Sequence, residues 1–137
     1  MNESVLKTAA AGEMPLRGMR ENTANYLRSG GRRAFASFYT AVDDRAILHP
    51  PLRRNINFAQ HNLVTDRSFN EFNVVFCRNV LIYFNRPLQE RVHSLLYDSL
   101  GRRGFLGLGN RETTRFTPYE SRYEVVDWAD RLYRKIA

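Results

Sequence analysis

Asn73-Val-Val-Phe-Cys-Arg-Asn-Val-Leu-Ile-Tyr-Phe84 is the stretch on which the fold turns. Its opening, Asn73-Val-Val-Phe-Cys77, is an apolar run of strand length with no polar alternation. Such a run predicts a parallel strand covered on both faces. Arg78-Asn79 then interrupts it, before Val80-Leu-Ile-Tyr-Phe84. Asn85-Arg-Pro-Leu-Gln-Glu opens a helix, with Asn85 as cap and Pro87 in the first turn. Leu88, Val92, Leu95, Leu96 and Leu100 repeat at helical spacing until Gly101 and Gly104 end it. Gly104-Phe-Leu-Gly-Leu-Gly109 predicts the next strand, and Tyr123-Glu-Val-Val126 and Leu132-Tyr-Arg-Lys-Ile136 predict two more with a tight connection.

Upstream, Asn55-Ile-Asn-Phe-Ala59 alternates strictly and predicts a strand. Pro50-Pro51 separates it from a hairpin, whose arms are Ala34-Phe-Ala-Ser-Phe-Tyr-Thr40 and Ala46-Ile-Leu-His49 around Asp43-Asp44. Residues 20–27 suit a short helix. The first eleven residues suit another, with Asn2 as cap, Val5, Leu6, Ala9 and Ala10 on one face and Gly12 as its end. Strands alternating with helices predict an α/β fold with a parallel sheet.

The 137 residues are 43% hydrophobic and 26% charged, enough for one ordinary domain. No apolar run reaches the roughly 18 residues of a membrane span, so no membrane insertion is expected. The single Cys77 excludes an internal disulfide framework and a multi-cysteine metal site, and fits a reducing, cytoplasmic setting. The net charge is +7, almost all of it arginine scattered along the chain. This reads either as a solvated basic surface or as attraction to an anionic partner.

In open α/β sheets ligands bind beyond the carboxyl ends of the strands. Three predicted exits carry polar residues: Gln60-His61-Asn62-Leu63, then Cys77-Arg78-Asn79 with Tyr83 one turn on, then Asn110-Arg111-Glu112. Asn62 and Asn79 equally suit turn caps. Arg78, after an apolar run, needs a partner. His61 reads as structural, His93 as a surface residue and Cys77 as an inert buried thiol. The chain has no Ser-His-Asp spacing, P-loop or H-E-x-x-H motif. Gly104-x-x-Gly107-x-Gly109 lies within a strand pattern and opens no helix, which argues against a dinucleotide turn.

The octapeptide Cys77-Arg-Asn-Val-Leu-Ile-Tyr-Phe84, with Phe58-Ala-Gln-His-Asn-Leu63 before it and Gly104-Phe-Leu-Gly-Leu-Gly109 after it, resembles the CheR-type chemotaxis receptor methyltransferases. The similarity runs over essentially all of residues 1–137 and places them in the C-terminal part of the catalytic domain. It implies a partial Rossmann-like class I methyltransferase sheet. The family's strand order is 3-2-1-4-5-7-6, and here strands 1 and 2 are lacking, with the glycine-rich turn and the acidic residue that they carry. An open slot is then expected between the strand near Ile56 and the one near Val75. Residues 33–50 match a small β-subdomain.

The resemblance further implies transfer of a methyl group from S-adenosylmethionine to glutamate side chains in the cytoplasmic domain of chemotaxis receptors, with S-adenosylhomocysteine as product. Asn62 and Leu63 match the adenosine-side pair, Arg78 and Asn79 a second cofactor-contacting pair, and Tyr83 a tyrosine beside the reactive methyl. No metal is implied. In-line attack of a carboxylate on a sulfonium methyl needs proximity and alignment more than a strong base. With part of the donor's floor missing, the 137 residues alone are expected to bind the cofactor weakly and to be impaired in transfer. A non-catalytic receptor- or partner-binding module is the alternative. Nucleic-acid binding is suggested by charge alone, without an aromatic–basic stacking pattern, and is not expected.

Overall fold

The computed structural model describes residues 3–68 and 70–136, which fall into two units divided between Gln60 and His61. In the first, α1 (Glu3–Ala11) ends where Gly12 turns to a φ of 70°. A helix leaves its last carbonyls without partners. Arg53 supplies them here, its Nη1 donating to Ala10 O at 3.2 Å and Ala11 O at 2.9 Å. The expected cap Asn2 lies outside the described residues. Three short strands, β1 (Glu13–Pro15), β2 (Tyr39–Val42) and β3 (Arg45–Leu48), form an antiparallel sheet in the order β1-β3-β2.

The expected hairpin is therefore present as β2 and β3, with β1 added. Its first arm is shorter than expected. Residues 35–38 form a 3-10 turn in which Phe35 and Phe38 pack on Tyr26, at ring-centroid separations of 5.2 and 5.6 Å. Tyr26 belongs to α2 (Met19–Arg28), the helix expected near residues 20–27.

The expected strand at 55–59 is absent. The two prolines instead start a single helical turn, α3 (Pro50–Arg53), and residues 56–60 follow without regular structure. Ile56 and Phe58 remain exposed, so the alternation has no face to bury. The slot expected beside this strand has no strand to border it.

In the second unit the sheet order is β4-β5-β7-β6. β4 (Phe72–Cys77) runs parallel to β5 (Leu100–Leu108), and α4 (Arg86–Asp98) connects them. β7 (Leu132–Lys135) lies antiparallel between β5 and β6 (Tyr123–Asp127). The sheet is thus mixed, not wholly parallel as expected, because the last two strands are joined by a tight turn. Such a turn can only return the chain antiparallel.

The core gathers Val92, Leu96 and Tyr97 of α4 against Leu100, Leu106 and Leu108 of β5 and Tyr133 of β7. Lys135 Nζ donates to the carbonyls of Tyr97 and Leu100 at 2.9 and 2.7 Å, which ties β7 to the end of α4. β4 does not have the two covered faces expected of it. It is outermost in the described sheet, only Cys77 is buried, and Phe76 is 70% exposed. Phe76 pairs in register with Gly107, and its ring occupies the space that a side chain there would need.

Asn85 caps α4 as expected, its Oδ1 accepting from Leu88 N at 3.2 Å. Asn85→Ala should lower the urea midpoint by the equivalent of about 1 kcal/mol, and Asn85→Asp should stay close to the parent.

Candidate functional site

The sheet places Arg78 and Asn79 directly at the exit of β4. Asn79 adopts a φ of 58°, a left-handed conformation that asparagine tolerates better than most residues. It turns the chain into the 3-10 turn Leu81–Tyr83. What holds that turn is Glu112, which lies beyond β5 and is 4% exposed. Its Oε1 accepts from Val80 N at 2.8 Å and Leu81 N at 2.7 Å. Its Oε2 accepts from Asn79 N at 2.9 Å and Gly109 N at 2.6 Å. One carboxylate thereby locks the exits of two neighbouring strands together.

Gly109 is required by the same arrangement. A Cβ there would meet Asn79 Oδ1 at 2.5 Å and Glu112 Oε2 at 2.7 Å. A second link joins the same exits, as Arg78 Nη2 donates to Asn110 Oδ1 at 3.3 Å. The guanidinium that needed a partner has one, and it is itself exposed.

Tyr83 follows in the turn and is 80% exposed, its ring free to meet a ligand. Leu63 is partly buried and packs against the core that contains Cys77 and Leu81. Asn62 is engaged locally. Its Oδ1 accepts from Val64 N at 2.9 Å, and its backbone N–H donates to Asp66 Oδ2 at 2.8 Å. That backbone contact, with the Thr65 hydroxyl, draws the Asp66 carboxyl below its ordinary value. The structure thus brings Arg78, Asn79 and Asn110 together, sets Tyr83 beside them in sequence and gives Asn62 a turn-forming role. His61 is structural as expected, its Nε2 lying 3.2 Å from Arg67 O.

Cys77 is buried, and burial followed by the nearby Glu112 charge pushes its thiol up to about 11, so it is inert at neutral pH. His93 is not the surface residue expected. It is 3% exposed, its Nδ1 has no hydrogen-bond partner among the described residues, and burial lowers its pKa despite the Glu112 charge. The sequence gives no sign of this, because the residues on the turns before it, Arg86, Gln89 and Glu90, are polar and read as a solvent face. Nor does it mark Glu112, whose partners are backbone amides from another strand's exit. Among the described residues no group of His, Cys, Asp or Glu is placed to hold a metal ion, and no helix is long and apolar enough to cross a membrane.

Burial opposes ionisation of Glu112, but the four amides outweigh it and hold the carboxyl below its ordinary value of 4.5. The stabilisation is therefore complete above that value and is lost as pH falls through the lower, folded pKa. Glu112→Gln should remove this acid-limb loss. It should also destabilise the chain at pH 7 by about 2–3 kcal/mol, because an amide cannot accept at both ends. Urea unfolding between pH 3 and 7 measures both effects.

Comparison with known proteins gives this geometry a context. The family described as CheR methyltransferase, SAM binding domain, matches residues 1–127. "Putative methyltransferase Cher3" of Pseudomonas putida is 45% identical over 135 residues, 98% of this chain and 50% of that protein. A chemotaxis protein methyltransferase of Listeria innocua is 35% identical, over 82% of this chain and 40% of its own length. "Chemotaxis protein methyltransferase 1" of Vibrio cholerae is 35% identical, over 69% of this chain and 34% of its own length. The chain spans half or less of the length of these relatives. With a family match over nearly all of its residues, the chain belongs to the CheR methyltransferase family.

Proposed function

We propose that these 137 residues form the C-terminal part of an S-adenosylmethionine-dependent methyltransferase acting on glutamate side chains of chemotaxis receptors in the cytoplasm. The observation that carries this reading is the Glu112-locked exit, which presents Arg78 and Asn79 followed by the exposed Tyr83. The order β4-β5-β7-β6, with one strand inserted antiparallel, agrees with the far half of a class I methyltransferase sheet. On this reading residues 33–50 are its small β-subdomain.

The residues at the exit suit the cofactor's mixed chemistry. Arg78 offers a guanidinium, and Asn79 and Asn110 offer amides. The exposed ring of Phe76 and the partly buried Leu63 offer apolar surface. In our reading Asn62 and Leu63 lie on the adenosine side, and Arg78 and Asn79 hold the cofactor at the β4 exit. When bound, S-adenosylmethionine supplies an electrophilic methyl, which a glutamate carboxylate takes to give a methyl ester and S-adenosylhomocysteine. The chain's contribution is orientation. Glu112 fixes the backbone that bears Asn79, and the Tyr83 hydroxyl aligns the incoming carboxylate. No side chain need remove a proton, since the carboxylate is already ionised at neutral pH.

The 137 residues alone should give no micromolar heat of binding with S-adenosylhomocysteine. Exchanged for the matching half of the Pseudomonas putida relative, they should support base-labile methyl incorporation into receptor-bearing membranes. In that chimera Tyr83→Phe should lower kcat at least about tenfold while cofactor affinity stays within about twofold. Equal losses in both would remove the role given to Tyr83, and methyl label that resists base would remove the glutamate ester.

A further inference from the structure

α4 has two working faces. One packs Val92 and Leu96 into the core. The other carries Arg86, Gln89, Glu90 and His93, spaced three and four apart. This second face looks across a cavity of ≈ 350 Å³ towards the loop that follows β5, represented by Arg111, Thr113, Arg115 and Phe116. Ile82 lines the same cavity, so it borders the turn that bears Tyr83.

The cavity is cationic in effect. Three arginines line it, against the carboxylates of Glu90 and Glu112. Glu112 is already committed to four backbone amides. Glu90 sits 3.3 Å from Arg86, and Arg115 lies 3.8 Å from Glu120 outside the cavity. Both are exposed pairs, which bind their partners weakly and exchange them readily. Arg111 forms no ion pair among the described residues. His93 also lines the cavity; it is 3% exposed, and its Nδ1 has no hydrogen-bond partner among the described residues.

The rim is apolar. Ile82 is 43% and Phe116 80% exposed. Phe116 adopts a φ of 62°, a conformation costly for an aromatic residue. Its backbone N–H is held by Glu120 Oε2 at 2.8 Å, and the whole turn keeps its ring in solvent. Strain maintained to expose an apolar ring points to a surface that meets a partner.

Guanidiniums flanked by exposed apolar side chains complement a helix with carboxylates and aliphatic side chains on one face. We infer that this cavity docks the acidic helical segment of the protein substrate, with Arg111 and Arg115 taking its carboxylates and Ile82 and Phe116 its apolar side chains. The inference rests on the methyl-transfer reading, because the shared turn then delivers a neighbouring glutamate of the docked helix to Tyr83.

The test is fluorescence anisotropy of the full 137-residue chain with a labelled synthetic helical peptide carrying glutamate and leucine on one face. Glutamine in place of every glutamate gives the control peptide. The acidic peptide should bind in a salt-dependent manner, and the control at least about tenfold more weakly. Arg111→Glu with Arg115→Glu should weaken the acidic peptide at least about tenfold, and lysine at both positions should restore most of the binding. Phe116→Asn, which suits the positive φ and keeps every charge, should weaken it about threefold or more and serves if the charge reversal unfolds the chain. Undiminished binding by these variants overturns the inference. So does equal binding of the control peptide, or preferential binding of a single-stranded oligonucleotide. If arginine-dependent peptide binding persists while the chimera incorporates no methyl groups, the methyl-transfer reading alone fails. If the chimera is active and the variants bind normally, the docking surface alone fails.

Discussion

A carboxylate enclosed by four backbone N–H groups is the interaction on which the strand exits of the second unit depend. Removing Glu112 from water is costly, and few side chains could offset that cost. Backbone amides do so here because a strand exit and a 3-10 turn both leave N–H groups unsatisfied. Glu112 satisfies those of Asn79, Val80, Leu81 and Gly109 together. The positive φ of Asn79, the missing side chain at Gly109 and the projection of Tyr83 follow from that one arrangement. The same residue walls the cavity beneath α4, so the two surfaces proposed to act together share one anchor.

Elements with local causes were legible in the sequence. α4 could be read from its cap, its proline and its leucine spacing. β6, β7 and the second half of β5 could be read from short apolar runs between turn residues, whereas Leu100, expected in the helix, instead opens β5. The strand expected at residues 55–59 is absent because alternation reports only that a face could be buried. Whether a neighbour buries it is a long-range fact. The expected covering of β4 fails for the same reason, since an apolar run does not say whether a strand is central or outermost. At the site, Arg78, Asn79 and Tyr83 were visible as polar or aromatic residues beside the apolar run. Glu112 was visible only as one of several polar residues after β5, because nothing local marks an acid whose partners are another strand's amides. His93 is not legible as a buried residue because its neighbours on that helix face, Arg86, Gln89 and Glu90, are polar.

The basic composition resolves into several physical tasks. Arg53 satisfies helix carbonyls in the first unit, and Arg45 pairs with Glu13 across β1 and β3 at 2.8 Å. Arg131 lies 4.2 Å from the centroid of the Trp128 ring and donates to the carbonyl of Asn110. Arg122 stacks near Tyr97 and Tyr119. Arginine serves such places better than lysine because its flat cation can stack on a ring and donate sideways at once. These arginines are therefore built into the fold and are not part of a diffuse coat.

The placement of β7 constrains how the second unit can be made. β4, α4, β5 and β6 all leave the ribosome before it does, yet β7 lies between β5 and β6. Until residues 132–135 emerge, β5 and β6 have no strand between them, and the site of the fully buried Tyr133 ring stands open. A chain that stops short of residues 132–135 is therefore left with a split sheet and exposed apolar faces.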